Sequence, residues 1–353
     1  MKAYIFGAGA SADAGYPLAS RLLHDLSAWL DRCDPSVHWV PWARNRIVQV
    51  RETFGSLDDF EEILGKLEQY GHERVRPTGP ATYRQDYKDI AHDCMERFGG
   101  IDSGDRDIAA EGFYPQYLRS DLIGAFREFF YQKEELRSRP NAYDSFAHRT
   151  AGPDSSILTF NYDIALERAL AKAAKWDIGN GYGFQFLPNR PASKVTVYKL
   201  HGSVNWFKEP INDAPPPVIF TRDLRLLGYE RLVDPRVGGN GMGVDNSGTF
   251  ILPDPRKRFY WEAFWEPLWT SAAECLRAAD GVFIHGYSMP ASDERARQLL
   301  FANIEKSATI SIHCRNRSDH IAEAFRSHGF TDVRPFPSVD FEAWAVSGES
   351  AAQ

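Results

Sequence analysis

The chain has 353 residues, 43% hydrophobic and 25% charged, an ordinary globular balance sufficient for one elaborated domain or two modest ones. With 41 basic against 48 acidic residues its net charge is -7, so a surface for broad phosphate-backbone binding, and with it direct sequence-specific nucleic-acid recognition, is not expected. The first apolar run, Ala3 to Phe6, is too short for a signal segment or a membrane helix, and Cys33, Cys94, Cys275 and Cys314 never form C-x-x-C; membrane proteins, disulfide scaffolds and zinc ribbons are set aside, no metal is expected, and a reducing cytoplasm is the simplest compartment.

Lys2 to Phe6 reads as a short apolar strand, and glycines follow at once. From about Leu18 the pattern turns helical, with Leu22, Leu23, Leu26, Trp29, Leu30 and Cys33 at three- and four-residue steps. Another amphipathic helix carries Leu57, Phe60, Ile63, Leu64 and Leu67, with Asp58 and Asp59 at its start, where carboxylates suit the helix dipole. A further one carries Leu118, Leu122, Ile123, Phe126 and Phe130. No strand pattern stands between about Ala19 and Thr150, so 19–150 is expected to be a large helical insertion.

Strands then return at Ser156 to Phe160, Thr196 to Leu200, Gly281 to His285, Thr309 to His313 and Val333 to Phe336. Helices are expected between them, at Ile164 to Ala174, Asp293 to Ile304 and Asp319 to Ser327. Alternating strands and helices predict an α/β fold: a Rossmann-like parallel sheet with helices on both faces. Residues 1–18 and 151–340 would build that domain, and 341–353 would form a C-terminal tail, disordered from Ser347. Asn212 to Pro217 is a break, and the glycine- and asparagine-rich Gly238 to Gly248 is expected to be a mobile loop.

Four motifs fall at strand ends. Gly7-Ala8-Gly9-Ala10-Ser11-Ala12 fits G-x-G-x-x-G/A after the first strand; glycines there permit a tight turn and close backbone approach to a pyrophosphate, although a plain glycine turn would look the same. Thr159-Phe160-Asn161-Tyr162-Asp163 puts polar groups where ligands gather in open α/β sheets. Asp163 is also a good helix cap, but capping does not require Asn161. Lys199-Leu200-His201-Gly202-Ser203 offers an imidazole able to act as a base near neutral pH, though a lone histidine is more often structural. His285-Gly286-Tyr287-Ser288-Met289-Pro290, followed by Ser292-Asp293, reads equally as a site or as strand-to-helix punctuation.

Together and in this order, GAGAS, TFNYD, KLHGS and GYSMPASD resemble the sirtuin superfamily, specifically the divergent sirtuin-like branch of bacterial NAD⁺-consuming defence proteins. Ile251-Leu252-Pro253-Asp254-Pro255, the helix around Trp261, Trp265 and Trp269, and Ala279-Asp280 are similar to that branch too; the resemblance covers roughly residues 1–20 and 155–337. It implies that Gly7, Ala8, Gly9 and Ser11 cradle the diphosphate, and that Asn161 and His201 are the catalytic pair. Asp163 would stand near the nicotinamide carboxamide, Gly286 and Ser288 would touch the phosphate and ribose side, and Asn316 would contact the adenosine ribose. The chain departs from sirtuin deacylases in lacking two C-x-x-C pairs and in following Pro17 with Leu18-Ala19-Ser20-Arg21.

The resemblance thus implies an NAD⁺ hydrolase that releases nicotinamide and ADP-ribose, with NAD⁺ as substrate and no metal, acting as the toxic effector of an antiphage system. Cyclisation would differ only in the nucleophile. A homo-oligomer, a separate sensor or activator protein, or both, would restrain it. The alternatives are an NAD⁺-dependent protein deacylase and a non-catalytic NAD⁺ or ADP-ribose sensor.

Overall fold

A computed structural model describes residues 1–36, 39–55, 63, 114–135, 137, 139–176, 182, 195–208, 218–220 and 262–347. The expected helix from Leu57 to Leu67, apart from Ile63, and the loops at Asn212–Pro217 and Gly238–Gly248 lie outside these residues. The chain divides into two compact units. One comprises Met1–Leu18, Phe130–Ile251 and Lys257–Gln353, and the other Ala19–Phe129 with Leu252–Arg256.

The strands of the first unit are β1 (Lys2–Phe6), β2 (Ser155–Thr159), β3 (Thr196–Lys199), β4 (Trp206–Lys208), β5 (Val218–Phe220), β6 (Gly281–His285), β7 (Thr309–His313) and β8 (Val333–Pro335). Six of them form one sheet, ordered β3-β2-β1-β6-β7-β8, in which every pairing is parallel. The other two, β4 and β5, make a separate antiparallel pair that interrupts the chain order. With that pair set aside, the order is that of a Rossmann sheet, whose direction of winding reverses between β1 and β6.

Alternate β1 residues explain why helices cover both faces. Tyr4 and Phe6 pack against Phe146 of α5 (Ala142–Arg149), and Phe6 also meets Phe341 of α10 (Phe341–Ser347). Ala3 and Ile5, which point the other way, are buried as completely. The remaining helices of this unit are α1 (Ala8–Ala12), α6 (Ala165–Lys172), α7 (Glu262–Arg277), α8 (Glu294–Asn303) and α9 (Ser318–Ser327). Among the described residues no helix is long and apolar enough to cross a membrane.

The second unit contains α2 (Leu22–Leu30) and α3 (Trp39–Phe54), and α4 (Tyr114–Glu135) starts in it. Helix α2 buries Leu22, Leu23, Leu26, Trp29 and Leu30, the apolar stripe read from the sequence. Its end is closed from α3: the Arg44 guanidinium donates to the carbonyls of Leu30 at 2.7 Å, Asp31 at 3.2 Å and Cys33 at 3.0 Å. These are the acceptors a terminating helix leaves without intrahelical donors.

Two boundaries differ from the sequence reading. Residues 130–150 belong with the sheet, because α5 packs on it through Phe146 rather than extending the insertion. The stretch from 341, expected as the start of a tail, folds as α10 with Phe341, Trp344 and Ala345 buried. The aromatic side chains of Phe341 and Trp344 hold this helix on the sheet, where they meet Phe6 and His285.

Candidate functional site

The sheet registers Phe6 with Thr159 and His285, Thr159 with Lys199, and His285 with His313. These residues form one rung at the carboxyl edge, and all four motifs leave the sheet there. Asn161 and His201 each stand two residues beyond the Thr159–Lys199 pair. Positive backbone φ angles also gather beyond this rung, at Gly202 (84°), Gly286 (62°), Met289 (48°) and Arg315 (49°).

The glycine loop packs against the turn after β6. Gly7 N donates to His285 O at 3.0 Å, and Gly9 N donates to Gly286 O at 2.9 Å. A Cβ at Gly7 would lie 2.5 Å from Tyr287 Cα, and one at Gly9 would lie 2.8 Å from Gly286 Cα. The side-chain-free positions therefore serve contact between two backbones inside the protein. Ala8 is exposed and Ser11 is buried.

Asn161 ties this loop to β2. Its Nδ2 donates to Gly7 O at 3.0 Å and to Ser11 Oγ at 2.9 Å, and lies 3.3 Å from the Tyr143 hydroxyl. The Gly7 carbonyl can only accept, which fixes which end of the amide faces it. Ser11 Oγ and Tyr143 OH are 3.0 Å apart, closing a buried polar cluster. Burial pushes the Tyr143 phenol well above its usual range, so it is a neutral hydroxyl here. Tyr143 is placed by a local device: the Asn141 side chain accepts from Tyr143 N and Asp144 N, and Asp144 Oδ2 accepts from Asn141 N, a capping box that starts α5. Among the described residues Asn161 Oδ1 accepts no hydrogen bond, so it is the end of the amide left for a ligand.

Asp163 is not the N-cap the sequence suggested: Ile164 holds that position without a side-chain cap, and Asp163, one residue earlier, makes a local turn in which its Oδ1 accepts from Ala165 N at 3.1 Å. Its backbone carbonyl accepts from Lys199 Nζ. Lys199 is wholly buried and pairs with Glu167 Oε1 at 2.7 Å, also wholly buried. Burial pushes the Glu167 carboxyl upward, and Lys199 opposes that shift. This ion pair locks α6 to β3, so the loops bearing Asn161 and His201 share one anchor. Val204 N, donating to Tyr162 O at 2.9 Å, joins the same loops further out.

His201 is 5% exposed, with Nε2 3.3 Å from Asp293 Oδ2. The same carboxylate oxygen accepts from the Tyr287 hydroxyl at 2.7 Å. Phe160 stacks on Tyr287 with centroids 4.2 Å apart and meets the His201 ring at 4.9 Å. The Cys314 thiol, pushed up to about 12 by burial, donates to Tyr287 O at 3.4 Å and steadies the turn from β7.

Ser288 and Asn316 are exposed, on the loops after β6 and β7. Beside Asn316, Arg315 pairs with Asp13 at 3.0 Å and Asp340 at 3.4 Å. Burial pushes the Asp13 carboxyl upward, and Arg315 opposes it. Of the sequence-predicted residues, Gly7, Gly9, Ser11, Asn161 and Gly286 are thus joined by direct contacts. His201 lies beside Asp293 without joining that group, Asp163 serves α6 and Lys199, and Ala8, Ser288 and Asn316 stand at the surface.

Sequence reasoning misses Tyr143, Tyr287, Asp293 and the Lys199–Glu167 pair. Asp293 and Tyr287 lie inside a quoted motif but read there as punctuation. Tyr143 lies within the expected insertion, where only the local Asn141-Ala142-Tyr143-Asp144 capping pattern could draw notice. Among the described residues no three His, Cys, Asp or Glu side chains are grouped so as to hold a metal ion.

The arrangement sets the Asn161 amide and the His201 imidazole beyond adjacent strand ends, close to a backbone loop. No protein-family model matches the chain, and no curated protein matches it.

Proposed function

We propose that the chain binds NAD⁺ at the carboxyl edge of the sheet and hydrolyses the bond between ribose and nicotinamide, giving ADP-ribose and nicotinamide. The observation that carries this reading is the register: Asn161 and His201 leave adjacent strands two residues beyond the paired Thr159 and Lys199. Ligands of open α/β sheets gather at that edge, near the point where strand order reverses. The sirtuin-like order of the four motifs supplies the reaction class.

Nicotinamide leaves a cationic ring as a neutral amine, so no acid is needed for the leaving group. The demand is for a positioned water and for stabilisation of an oxocarbenium-like ribose. Asn161 Oδ1 accepts a hydrogen from the water, since Nδ2 is held by Gly7 and Ser11. His201 takes a proton from the water or holds a ribose hydroxyl. Asp163 helps place the carboxamide, and the exposed Ala8, Ser288 and Asn316 lie on the phosphate and ribose side. Ser11 supports Asn161 rather than the diphosphate, because its hydroxyl is buried in the Asn161–Tyr143 cluster. By resemblance, the wider role is that of a cytoplasmic effector in antiphage defence, restrained until an activator protein or self-assembly turns it on.

One observation favours a second reading. The Asn161 amide nitrogen is spent inside the protein, as in a sensor that binds NAD⁺ or ADP-ribose without turnover. Nicotinamide release from NAD⁺, by purified protein alone and with the products of neighbouring genes, separates the two. Turnover is expected, and Asn161→Ala and His201→Ala should each lower it by about 100-fold or more. Near-wild-type turnover in either variant removes that residue from the mechanism. Nucleotide binding without release makes the protein a sensor, and release that requires an acetyl-lysine peptide makes it a deacylase.

A further inference from the structure

Tyr143 stands in α5 with its ring against Phe6 of the sheet and Phe341 of α10, the centroids 5.4 Å and 5.0 Å away. A phenylalanine would fill that space without a polar atom. The hydroxyl, in a residue only 1% exposed, therefore needs hydrogen-bond partners, since burying it without them is costly. Among the described residues those partners are Ser11 Oγ at 3.0 Å and Asn161 Nδ2 at 3.3 Å. The Asn161 amide nitrogen carries two hydrogens. Gly7 O, which can only accept, takes one at 3.0 Å. The other faces the two hydroxyls, whose oxygens lie 2.9 Å (Ser11) and 3.3 Å (Tyr143) from Nδ2. Burial keeps the phenol neutral, so it retains a hydrogen with which to join Ser11.

We infer that Tyr143 is a positioning residue for Asn161: its buried hydroxyl closes a triangle with Ser11 Oγ and Asn161 Nδ2, which holds the amide nitrogen on the protein side and leaves Oδ1 as the end for a ligand. One hydrogen bond fixes an end of an amide, and bonds in two directions fix its plane. Gly7 O supplies the first direction and the hydroxyl pair the second. The capping box at Asn141 sets where the phenol stands, because it starts α5 two residues before Tyr143. Without the Tyr143 hydroxyl, Ser11 Oγ would hold the second direction alone and would lose the neighbour that orients its own hydrogen. The kinetic consequence rests on the NAD⁺ hydrolase reading, whereas the orientation of the amide does not.

The test is hydrogen exchange of the Asn161 side-chain amide in the whole chain, labelled with ¹⁵N at asparagine and assigned by the pair of signals lost in Asn161→Ala. In wild-type protein both hydrogens should exchange at least about 10-fold more slowly than those of the exposed Asn316. Exchange as fast as that of Asn316 overturns the proposal without any Tyr143 variant. Tyr143→Phe, which keeps the ring, should speed exchange of the Asn161 pair by about 10-fold or more while the backbone amides of β2 stay protected. An unchanged Asn161 pair in folded Tyr143→Phe protein overturns the proposal. So does a speed-up shared equally by β2, which is what a merely structural residue would give. If wild-type protein turns over NAD⁺, Tyr143→Phe should lower kcat by about 10-fold with KM within about threefold, and should lower it no further in the Asn161→Ala background. An equal further loss in that background means that Tyr143 does not act through Asn161 and overturns the positioning role. Absence of turnover in wild type, with the exchange pattern intact, removes the hydrolase reading and leaves Tyr143 as the residue that holds Asn161.

Discussion

Gly286 takes a φ of +62°, and a Cβ there would lie 2.1 Å from Ala10 N and 2.4 Å from Gly9 C. No rotamer relieves such a clash, because the obstacle is backbone. Gly15 offers a comparison: its φ is +87°, yet a Cβ there would meet nothing within 4 Å. Gly15→Ala should therefore cost only the backbone term, about 1–2 kcal/mol. Gly286→Ala adds overpacking and should cost about 3 kcal/mol or more. Urea unfolding of the two variants measures the difference, and equal losses would show that the turn after β6 yields to a side chain. Asn161 obeys a related logic. Its nitrogen bonds to Gly7 and Ser11, so Asn161→Ala also weakens the fold, and its activity must be read at a temperature where the variant stays folded.

Among the elements, α6 and β3 are joined by the wholly buried Lys199–Glu167 pair. Removing one partner leaves an uncompensated charge in the interior, which typically costs about 3–5 kcal/mol, whereas replacing both with apolar groups of similar volume is often nearly neutral. Lys199→Met should fall in the first range, and Lys199→Met with Glu167→Leu should recover more than half of the loss. The recovery is incomplete because Lys199 also serves the Asp163 carbonyl. A double-mutant cycle in urea checks this; no recovery would mean that the carbonyl contact, not the ion pair, is what α6 needs. Most elements were legible in the sequence: β6 and β7 match their expected bounds, since each is an apolar run closed by polar residues. The hairpin of β4 and β5 was not, because three-residue strands hold too little pattern to show a period of two. Asp293 was legible as a helix start and not as the acceptor of the Tyr287 hydroxyl, since the same residue type serves both.

For the molecule as a whole, the face of the sheet under α10 sets the response to acid. His285 and His313 stack 4.8 Å apart there, and His285 lies 4.3 Å from the Trp344 ring. Burial holds the His285 imidazole well below its ordinary value, assisted by His313, and lowers His313 from 6.5 to about 4. Both are neutral in the folded protein, and in the unfolded chain they bind protons near the ordinary value. The unfolded state therefore holds more protons between about pH 6.5 and pH 4, so stability is complete above that window and falls as pH drops through it. For His313 alone the loss is about 3 kcal/mol across the window. Replacing both with phenylalanine should flatten the profile, and a denaturation midpoint in the variant that tracks pH as the wild type does would place the acid response elsewhere.

The sequence by itself determined the α/β class, the parallel strands and the edge at which the motifs gather. These follow from apolar periodicity and glycine placement, which are properties of neighbours along the chain. It also singled out Asn161 and His201, because polar side chains straight after buried strands stand out in any window. Only the tertiary structure decided that Asn161 grips Gly7, that Tyr143 joins it from α5, that 341–347 folds as a helix against the sheet, and that Asp293 accepts from Tyr287 rather than capping its own helix. Each of these is a choice of hydrogen-bond or packing partner between segments distant in the chain. Such choices are made by whichever group the fold brings within about 3 Å in a site closed to water, and no local pattern records them.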